Sequence, residues 1–226
     1  MNKYEELESR IGIEFDDKEL LDQVFIHRSY INEHKKEKFE SNERLEFLGD
    51  AVLELISTEY LFKNHPEHSE GIMTNYRSAL VKGRHLADIA SELNLGKYLY
   101  LSKGEEHSNG RNKNHILANT LEALIGAMYL DKGFKYVEKF AKKMILNRLE
   151  EIIEKNLHID PKSQFQELIQ EKIGVTPTYE IISESGPDHD KKFETGVRVE
   201  GELIAKGVGS SKQKAEEEAA KAALNR

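Results

Sequence analysis

The chain contains 226 residues, which is enough for one large domain or for a domain of about 150 residues with a small companion. Hydrophobic residues make up 38% of it and charged residues 33%, a balance too apolar for a disordered chain. The net charge of −8 argues against a simple polycation that coats nucleic acid, and the absence of cysteine excludes a disulfide framework, a zinc ribbon and a thiolate nucleophile. Without a signal-like N-terminus or a long apolar run, the sequence predicts a cytoplasmic protein with no membrane partner.

Helical periodicity dominates the chain up to about Glu154. Segments that contain glycine, asparagine or proline separate the periodic stretches, and no β-period of useful length interrupts them. His27 lies on one of these apolar helices, so we expect a satisfied core histidine rather than a ligand. The pattern predicts an all-α domain with helices at residues 18–32, 42–63, 74–95, 115–131 and 136–154.

The pattern changes around Pro161, which stands where a new helix can begin. We therefore predict a first domain at residues 1–156, a linker at 157–160 and a second domain at 161–226. The second domain follows the order α-β-β-β-α, which is a small α+β fold, and Gly201 makes the tight turn between its last two strands. Its predicted elements are a helix at 161–172, strands at 178–184, 193–200 and 203–208, and a final helix with Ala215, Ala219, Ala222 and Ala223 on one face.

The helix at 42–54 carries a narrow acidic stripe on an otherwise apolar surface. At about 100° per residue, Glu43, Glu46, Asp50 and Glu54 fall within an arc of roughly 80°. Two carboxylates about 4 Å apart repel by roughly 4 kcal/mol at an effective dielectric constant of 20, so acids clustered beside apolar surface need protons, arginines or a cation. Two interpretations stand: a solvated edge of the helix, or a metal site.

The helix at 115–128 repeats this design, with His115, Asn119, Glu122 and Gly126 on one arc of roughly 60°. Gly126 allows another helix to approach closely, and Asn119 and Glu122 offer oxygen ligands. A polar residue on a buried helix is also commonly a satisfied hydrogen-bond partner. Taken together, the two helices offer oxygen ligands suited to Mg²⁺ or Mn²⁺ rather than zinc, which favours phosphodiester chemistry.

Positive charge gathers at element ends in the second domain, although that domain is not basic overall. Lys191 and Lys192 lie in the first hairpin loop, and Lys212 and Lys214 open the last helix. A helix N-terminus adds its dipole and free N–H groups to the attraction of lysines for phosphate. The lysines therefore indicate either a solvated face or a local phosphate-binding surface.

Residues 42–53, Asn-Glu-Arg-Leu-Glu-Phe-Leu-Gly-Asp-Ala-Val-Leu, closely resemble the signature of the ribonuclease III family. Other segments that agree with this resemblance are 20–30, Glu70-Gly71, 77–81, 104–106 and 116–131. The tail resembles a double-stranded-RNA-binding domain through 162–167, 186–189 with Phe193, and 209–216. The resemblance covers essentially the whole chain and has the bacterial two-domain layout, an all-α ribonuclease III endonuclease domain followed by a small α+β domain that binds double-stranded RNA.

The resemblance implies a homodimeric endoribonuclease that depends on Mg²⁺, which Mn²⁺ can replace. It implies hydrolysis of both strands of duplex RNA to 5′-phosphate and 3′-hydroxyl ends, with precursors of ribosomal and messenger RNA as substrates. The implied metal ligands are Glu46, Asn119 and Glu122, and Asp50 and Glu122 are tied most directly to catalysis. The acidic positions implied to have a supporting role near the dimer junction are Glu43 and Glu70. The implied RNA contacts are Ser163, Gln166, Glu167, His189, Lys191, Lys192, Ser211, Lys212 and Lys214.

Asn119 departs from the family pattern, which has aspartate at this position. Asparagine keeps a carbonyl oxygen but lacks the negative charge, so it is a weaker ligand for a hard divalent cation. Three explanations remain open: an engineered substitution, a natural variant that tolerates an amide, or a duplex binder that no longer cuts. The alternative function is therefore a non-cleaving double-stranded-RNA-binding protein. A helical structural dimer with an incidental acidic stripe is a third reading.

Overall fold

The computed structural model describes residues 3–34, 39–187 and 191–226. The chain divides into two compact units, Met1–His158 and Ile159–Arg226, and each unit has its own apolar core. Among the described residues, none of the helices combines the length and the apolar character needed to cross a membrane.

Helices build the first unit, which confirms the predicted all-α domain. They are α1 (Glu5–Ile11), α2 (Lys18–Val24), α3 (Arg28–Glu33), α4 (Glu43–Asn64), α5 (Glu70–Leu80), α6 (Gly83–Glu92), α7 (Lys103–His107), α8 (Asn114–Lys132), α9 (Phe134–Met144) and α10 (Leu149–Glu154). Short 3₁₀-helices lie at Leu95–Tyr98, Gly110–Asn112 and Leu146–Arg148. Helix α8 runs through the core, where it packs against α4 and α6. Its side chains from Ile116 to Met128 are buried except at Asn119 and Glu122, which are half-buried.

The helix predicted at 18–32 is interrupted between α2 and α3, because backbone groups there form hydrogen bonds with a segment that is distant in the sequence instead of with the next turn of the helix. The N–H of His27 donates to the carbonyl of Tyr100 at 3.2 Å, and the N–H of Tyr100 donates to the carbonyl of Phe25 at 2.9 Å. A short parallel bridge between Ile26 and Tyr100 results. The prediction of one continuous helix is therefore wrong here, and His27 lies at the break.

Two other predicted helices are also divided. Residues 74–95 contain the end of α5, an extended residue at Lys82 and then α6. Residues 136–154 contain α9, a 3₁₀ turn after Ile145 and then α10. Apolar periodicity continues across each break because both halves bury a face in the same core, so periodicity alone does not locate the break.

The second unit has the predicted order α-β-β-β-α, which the structure confirms. Its elements are α11 (Pro161–Ile173), β1 (Thr178–Ser185), β2 (Lys192–Val199), β3 (Glu202–Gly209) and α12 (Lys212–Leu224). The antiparallel sheet has the strand order β1-β2-β3. Glu200 and Gly201, at φ 49° and 84°, make the two-residue turn between β2 and β3 with both residues in the left-handed region.

One face of α12 lies directly on β2 and β3. A Cβ atom at Gly207 would lie 2.1 Å from the backbone nitrogen of Ala219, so this strand position admits no side chain. The small residues buried on α12 are Ala215, Ala219, Ala220 and Ala223. Ala222, which was predicted to lie on this face, is only half-buried at its edge. Ala220, which was not predicted to lie there, is buried.

Candidate active site and RNA-binding face

Helices α4 and α8 cross in direct backbone contact at Gly49 and Gly126. A Cβ atom at Gly49 would lie 1.8 Å from the carbonyl oxygen of Glu122, and one at Gly126 would lie 2.2 Å from the carbonyl oxygen of Leu45. Only glycine fits at both positions, since real Cβ contacts are much longer. The predicted close approach at Gly126 is therefore confirmed. The crossing brings the acidic stripe of α4 beside the polar side chains of α8.

A cleft of about 680 Å³ lies beside this crossing. Both helices contribute the polar groups that the sequence analysis singled out, together with side chains from the segments before α3 and α8. The residues that line the cleft are His27, Arg28, Asn42, Glu43, Glu46, Phe47, Asp50, Glu105, His115, Ile116, Asn119 and Glu122. Five of the six predicted catalytic and metal-binding residues thus meet in one cleft, and Glu70 is the exception.

The carboxylates of the cleft are close enough to change each other's protonation. Burial, followed by the charges of Asp50 and Glu46, raises the pKa of Glu122 to about 7. Burial also raises the pKa of Glu46, and the charges of Glu43 and Asp50 act in the same direction. Near neutral pH the cluster therefore accommodates a proton, and a cation can take the place of that proton.

Asn119 hydrogen-bonds to the carboxylate of Glu46, and this contact opposes the rise in the pKa of Glu46. An ionised aspartate at position 119 has no proton to donate, whereas the amide nitrogen donates and the carbonyl oxygen remains an acceptor. The amide thus stabilises the ionised form of a neighbouring carboxylate while it keeps one oxygen for a cation. This gain partly offsets the missing negative charge.

His27 is half-buried and lines the cleft, so its predicted core position is wrong, whereas the prediction that its ring has a hydrogen-bond partner is confirmed. Its Nδ1 lies 2.8 Å from the hydroxyl oxygen of Ser29, and it accepts from the backbone N–H of Ser29 as the N-cap of α3. Burial lowers the pKa of His27, which keeps the ring neutral near pH 7 and able to accept. The helix break that exposes this ring results from backbone hydrogen bonds to Tyr100. The sequence around His27 therefore contains no signal of it.

Arg28 is a further residue at the rim that the sequence analysis did not single out. Its guanidinium lies 3.5 Å from the carboxylate of Glu43, which also accepts from the hydroxyl of Ser41 at 2.9 Å. Arg28 is largely exposed, so it is free to exchange this partner for an anionic ligand. The sequence segment 20–30 contains it, but nothing in its spacing distinguishes it from a solvated arginine.

Glu70 lies away from the cleft, at the first turn of α5. Its carboxylate accepts from the hydroxyl of Thr74 at 3.1 Å, and it lines a separate pocket with Thr58, Phe62 and Arg77. A single chain therefore does not bring Glu70 to the other acidic residues.

The second unit gathers lysines around the exposed edge of Phe193. The ammonium groups of Lys191 and Lys212 lie 5.6 and 5.9 Å from the centre of that ring, so the start of β2 and the start of α12 meet there. Ser211 caps α12 by accepting from the backbone N–H of Lys214 at 3.2 Å. The structure thus brings Ser211, Lys212 and Lys214 to the positively polarised end of a helix.

The remaining predicted RNA contacts differ in setting. Ser163, Gln166 and Glu167 are exposed on one face of α11, and the hydroxyl of Ser163 donates to Asp160 at 3.1 Å. Lys192 is exposed, whereas Lys191 pairs with Glu184 at 2.6 Å. His189 lies outside the described residues.

Comparison with known proteins decides the family. Residues 17–149 match the family model described as ribonuclease-III-like, and residues 161–226 match that of the double-stranded RNA binding motif. The chain is 43% identical to ribonuclease 3 of Listeria welshimeri over 100% of this chain and 98% of that one, and 45% identical to ribonuclease 3 of Geobacillus kaustophilus over 98% and 90%.

The chain belongs to the ribonuclease III family. A solved structure of the nuclease domain of ribonuclease III from Campylobacter jejuni, which describes flexibility in a region involved in dimer formation, matches with a TM-score of 0.59 and 41% identity over 64% of this chain and 97% of that one. As a ribonuclease III, the protein is an endoribonuclease that acts on double-stranded RNA. Its ribonuclease-III-like match contains both helices of the cleft, and its RNA-binding match contains the lysines around Phe193.

Proposed function

We propose that this ribonuclease III hydrolyses the phosphodiesters of duplex RNA in a reaction that depends on a divalent metal, with Glu46, Asn119 and Glu122 as ligands of Mg²⁺. The observation that carries the proposal is the convergence of these side chains and Asp50 on one cleft, where the pKa of Glu122 is raised to about 7. The nuclease function is proposed for residues 1–156 and duplex binding for residues 161–226, with 157–160 as the linker.

The side chains fit a hard cation. They offer carboxylate and amide oxygens, which suit Mg²⁺ and allow Mn²⁺ to substitute, and a cation offsets the burial and the repulsion that together raise the two glutamate pKa values. When bound, a divalent ion supplies charge neutralisation at the phosphate and activation of a water molecule. No protein nucleophile is then required.

The side chains of the cleft set the charge and the protonation of the site in which this reaction takes place. Without a cation Glu122 changes protonation near neutral pH, and with a cation in the cleft it would be held ionised as a ligand. Asp50 is exposed at the side of the cleft, where it can orient water, while the contact from Asn119 favours the ionised form of Glu46 and so opposes the effect of burial. Attack of water on phosphorus breaks the bond to the 3′ oxygen and leaves 5′-phosphate and 3′-hydroxyl ends.

Duplex RNA is the proposed substrate because the polar and basic residues of the second unit suit recognition of the shape of an RNA helix rather than of its base sequence. The A-form helix exposes a wide minor groove with 2′-hydroxyls, and its major groove is too narrow for side chains. The exposed polar face of α11 can meet 2′-hydroxyls, and Lys212 and Lys214 can meet phosphates. By resemblance, precursors of ribosomal and messenger RNA in the cytoplasm are the proposed natural substrates.

A homodimer is the proposed assembly. Phe47 is 81% exposed and Leu130 57% exposed, and both line an apolar pocket beside Leu20 and Leu48. Under two-fold symmetry, the exposed ring of Phe47 in one copy can enter the apolar pocket of the other copy, and the reverse contact forms at the same time. Glu43 lines this pocket as well as the cleft, and we propose supporting roles for Glu43 and Glu70 near the dimer junction.

Cleavage of a long RNA duplex in Mg²⁺ tests the proposal with three proteins: the unchanged chain, Asn119→Asp and Glu122→Gln. We expect the unchanged chain to cut, Asn119→Asp to reach the same rate at a lower Mg²⁺ concentration, and Glu122→Gln to bind without cutting. Equal rapid cutting by the first two proteins would show that the amide is fully tolerated.

The second candidate function is a duplex binder that does not cut, and the missing charge at Asn119 is the observation that favours it. This candidate predicts intact RNA with the unchanged chain and recovered cutting with Asn119→Asp, while both proteins retain duplex in a gel-shift measurement. Cutting by the unchanged chain excludes it.

A further inference from the structure

A cluster of metal-ligating side chains lies outside the cleft, in the segment that connects α4 to α5. His65 is the C-cap of α4, and Glu67 and His68 follow it before Ser69, the N-cap of α5. One ligand atom from each of His65, Glu67 and His68 lies within 4.8 Å of the others. The two histidines are half-buried and the glutamate is exposed.

Two of the three spacings between the ligand atoms approach those of a zinc coordination shell, and the third is at most 4.8 Å. Oε1 of Glu67 lies 3.6 Å from Nδ1 of His65 and 3.3 Å from Nε2 of His68. In a tetrahedral site with bonds of about 2.0–2.2 Å, neighbouring ligand atoms lie about 3.3–3.6 Å apart. Side-chain adjustments of a few tenths of an ångström therefore bring these two pairs to ligand spacing.

A buried aromatic ring holds the two imidazoles in place. Tyr76 is 6% exposed and packs edge-on against His65 and His68, with ring centres 6.1 and 5.4 Å apart. The two imidazoles stack on each other at 5.6 Å and 11°. Ligands whose rings are already oriented by packing lose less freedom when a metal binds.

A third imidazole lies on the same tyrosine. The ring of His158 packs edge-on against Tyr76 with centres 4.8 Å apart. Among the described residues, its buried Nδ1 has no hydrogen-bond partner. The neighbourhood of Tyr76 thus contains three imidazole rings and one carboxylate, with one ring nitrogen unsatisfied.

We propose that His65, Glu67 and His68 bind one divalent cation of the zinc class, separately from the oxygen-rich cleft. Two imidazoles and one carboxylate form a ligand set typical of Zn²⁺, whereas Mg²⁺ prefers oxygen ligands alone. The fourth position is open to water. The bound ion joins the end of α4 to the segment before α5, and Glu70 is the first residue of α5.

The competing explanation is an ordinary polar cluster, in which His65 and His68 pair with Glu67 and no metal is bound. Two exposed or half-exposed ion pairs of this kind contribute little to stability. The two explanations differ in one measurable respect, because only a metal site binds Zn²⁺ through all three side chains.

Titration of the metal-free full-length chain with Zn²⁺ at pH 7.5, followed by calorimetry, tests the proposal. The cleft also contains carboxylates, so Glu122→Gln serves to separate the two sites. We expect one equivalent of Zn²⁺ that persists in Glu122→Gln and binds at least roughly 10-fold more weakly in His68→Ala. Co²⁺ at the same site should give the visible absorption of a tetrahedral nitrogen–oxygen complex.

Two further variants keep the test independent of folding. Glu67→Gln changes an exposed side chain and preserves its shape, so weaker Zn²⁺ binding by this variant reports the site itself. His107→Ala, in α7, removes an exposed histidine outside the cluster and should leave the affinity unchanged. The proposal is overturned if no equivalent of Zn²⁺ binds at micromolar concentration, or if Glu67→Gln and His68→Ala bind it as tightly as the unchanged chain.

Discussion

Glu122 is half-buried beside Asp50 and Glu46, and its pKa is raised to about 7. In the unfolded chain the same group has its ordinary pKa near 4.5. Between these two values the folded state binds more protons than the unfolded state, so the free energy of unfolding falls as the pH rises from about 4.5 to about 7. At higher pH the ionised carboxylate costs the fold roughly 2 kcal/mol, since screening by solvent reduces the full cost of about 3.4 kcal/mol for this partly exposed group.

Glu122→Gln removes this cost, because glutamine has the same shape and no charge. In metal-free buffer we expect the variant to be more stable than the unchanged chain by roughly 1–2 kcal/mol at pH 8 and equally stable near pH 4.5. Urea denaturation at the two pH values measures the difference. Addition of Mg²⁺ should stabilise the unchanged chain at pH 8 and reduce the gap, whereas a gap independent of pH would contradict the assignment.

Single residues differ in how far the sequence predicts them. The helical positions of Glu46, Asp50 and Glu122, together with the resemblance, predict that the side chains share a site, because each position on a regular helix has a fixed direction. The hydrogen bond from Asn119 to Glu46 and the exposure of His27 were not predictable. The first depends on the distance between two helices, and the second depends on a contact with Tyr100.

At the level of elements, the crossing of α4 and α8 sets the distance between the groups of the cleft. Gly126→Ala places a methyl group 2.2 Å from the carbonyl oxygen of Leu45, which forces the helices apart. We expect the free energy of unfolding to fall by about 2–4 kcal/mol and cleavage to fall with it, because overpacking against backbone cannot relax locally. Chemical denaturation and duplex cleavage measure the two effects.

Gly83→Ala is the matched control for that substitution. Gly83 lies in the first turn of α6, and a Cβ atom there meets nothing within 4 Å. We expect it to be neutral or to stabilise the chain by about 0.4–1 kcal/mol. Equal effects of the two alanines would show that the crossing does not determine the change in stability.

The start of α12 is the second element with a testable role. Lys212→Ala removes one ammonium group beside a helix N-terminus, so the dependence of log affinity for duplex RNA on log salt concentration should become shallower by about 1. Lys221→Ala, in the last turn of the same helix, should leave this slope unchanged. Binding titrations at several salt concentrations provide both slopes, and an identical slope for all three proteins would exclude the contact.

Element boundaries show what sequence patterns leave undecided. The second unit follows its predicted order closely because Pro161, Gly201 and the alternation in β2 are local signals. In the first unit, the breaks at His27 and Lys82 leave the apolar period intact on both sides. Helix α1 was not predicted, because a helix of seven residues contains too few turns for a period to be recognised.

For the whole molecule, the exposed apolar surface around Phe47 predicts dimerisation. Phe47→Ala removes the aromatic side chain from both copies of a symmetric interface, so the dimer should dissociate at least roughly 10-fold more readily. Sedimentation equilibrium measures the change. Tyr136→Ala removes a ring that is 53% exposed on α9 and serves as the control. Monomeric behaviour of the unchanged chain at all concentrations would remove the basis for a dimer.

The nearest neighbours of Gly49 and Gly126 are peptide groups of the opposite helix rather than side chains. A clash with a side chain can be rescued by a smaller residue on the other partner, but no substitution shortens a peptide bond. A larger residue at either glycine therefore cannot be compensated by a second substitution on the opposite helix. To widen the cleft for a larger cation, an engineer has to move one whole helix relative to the other, because single substitutions at the crossing cannot adjust the distance between the helices in small steps.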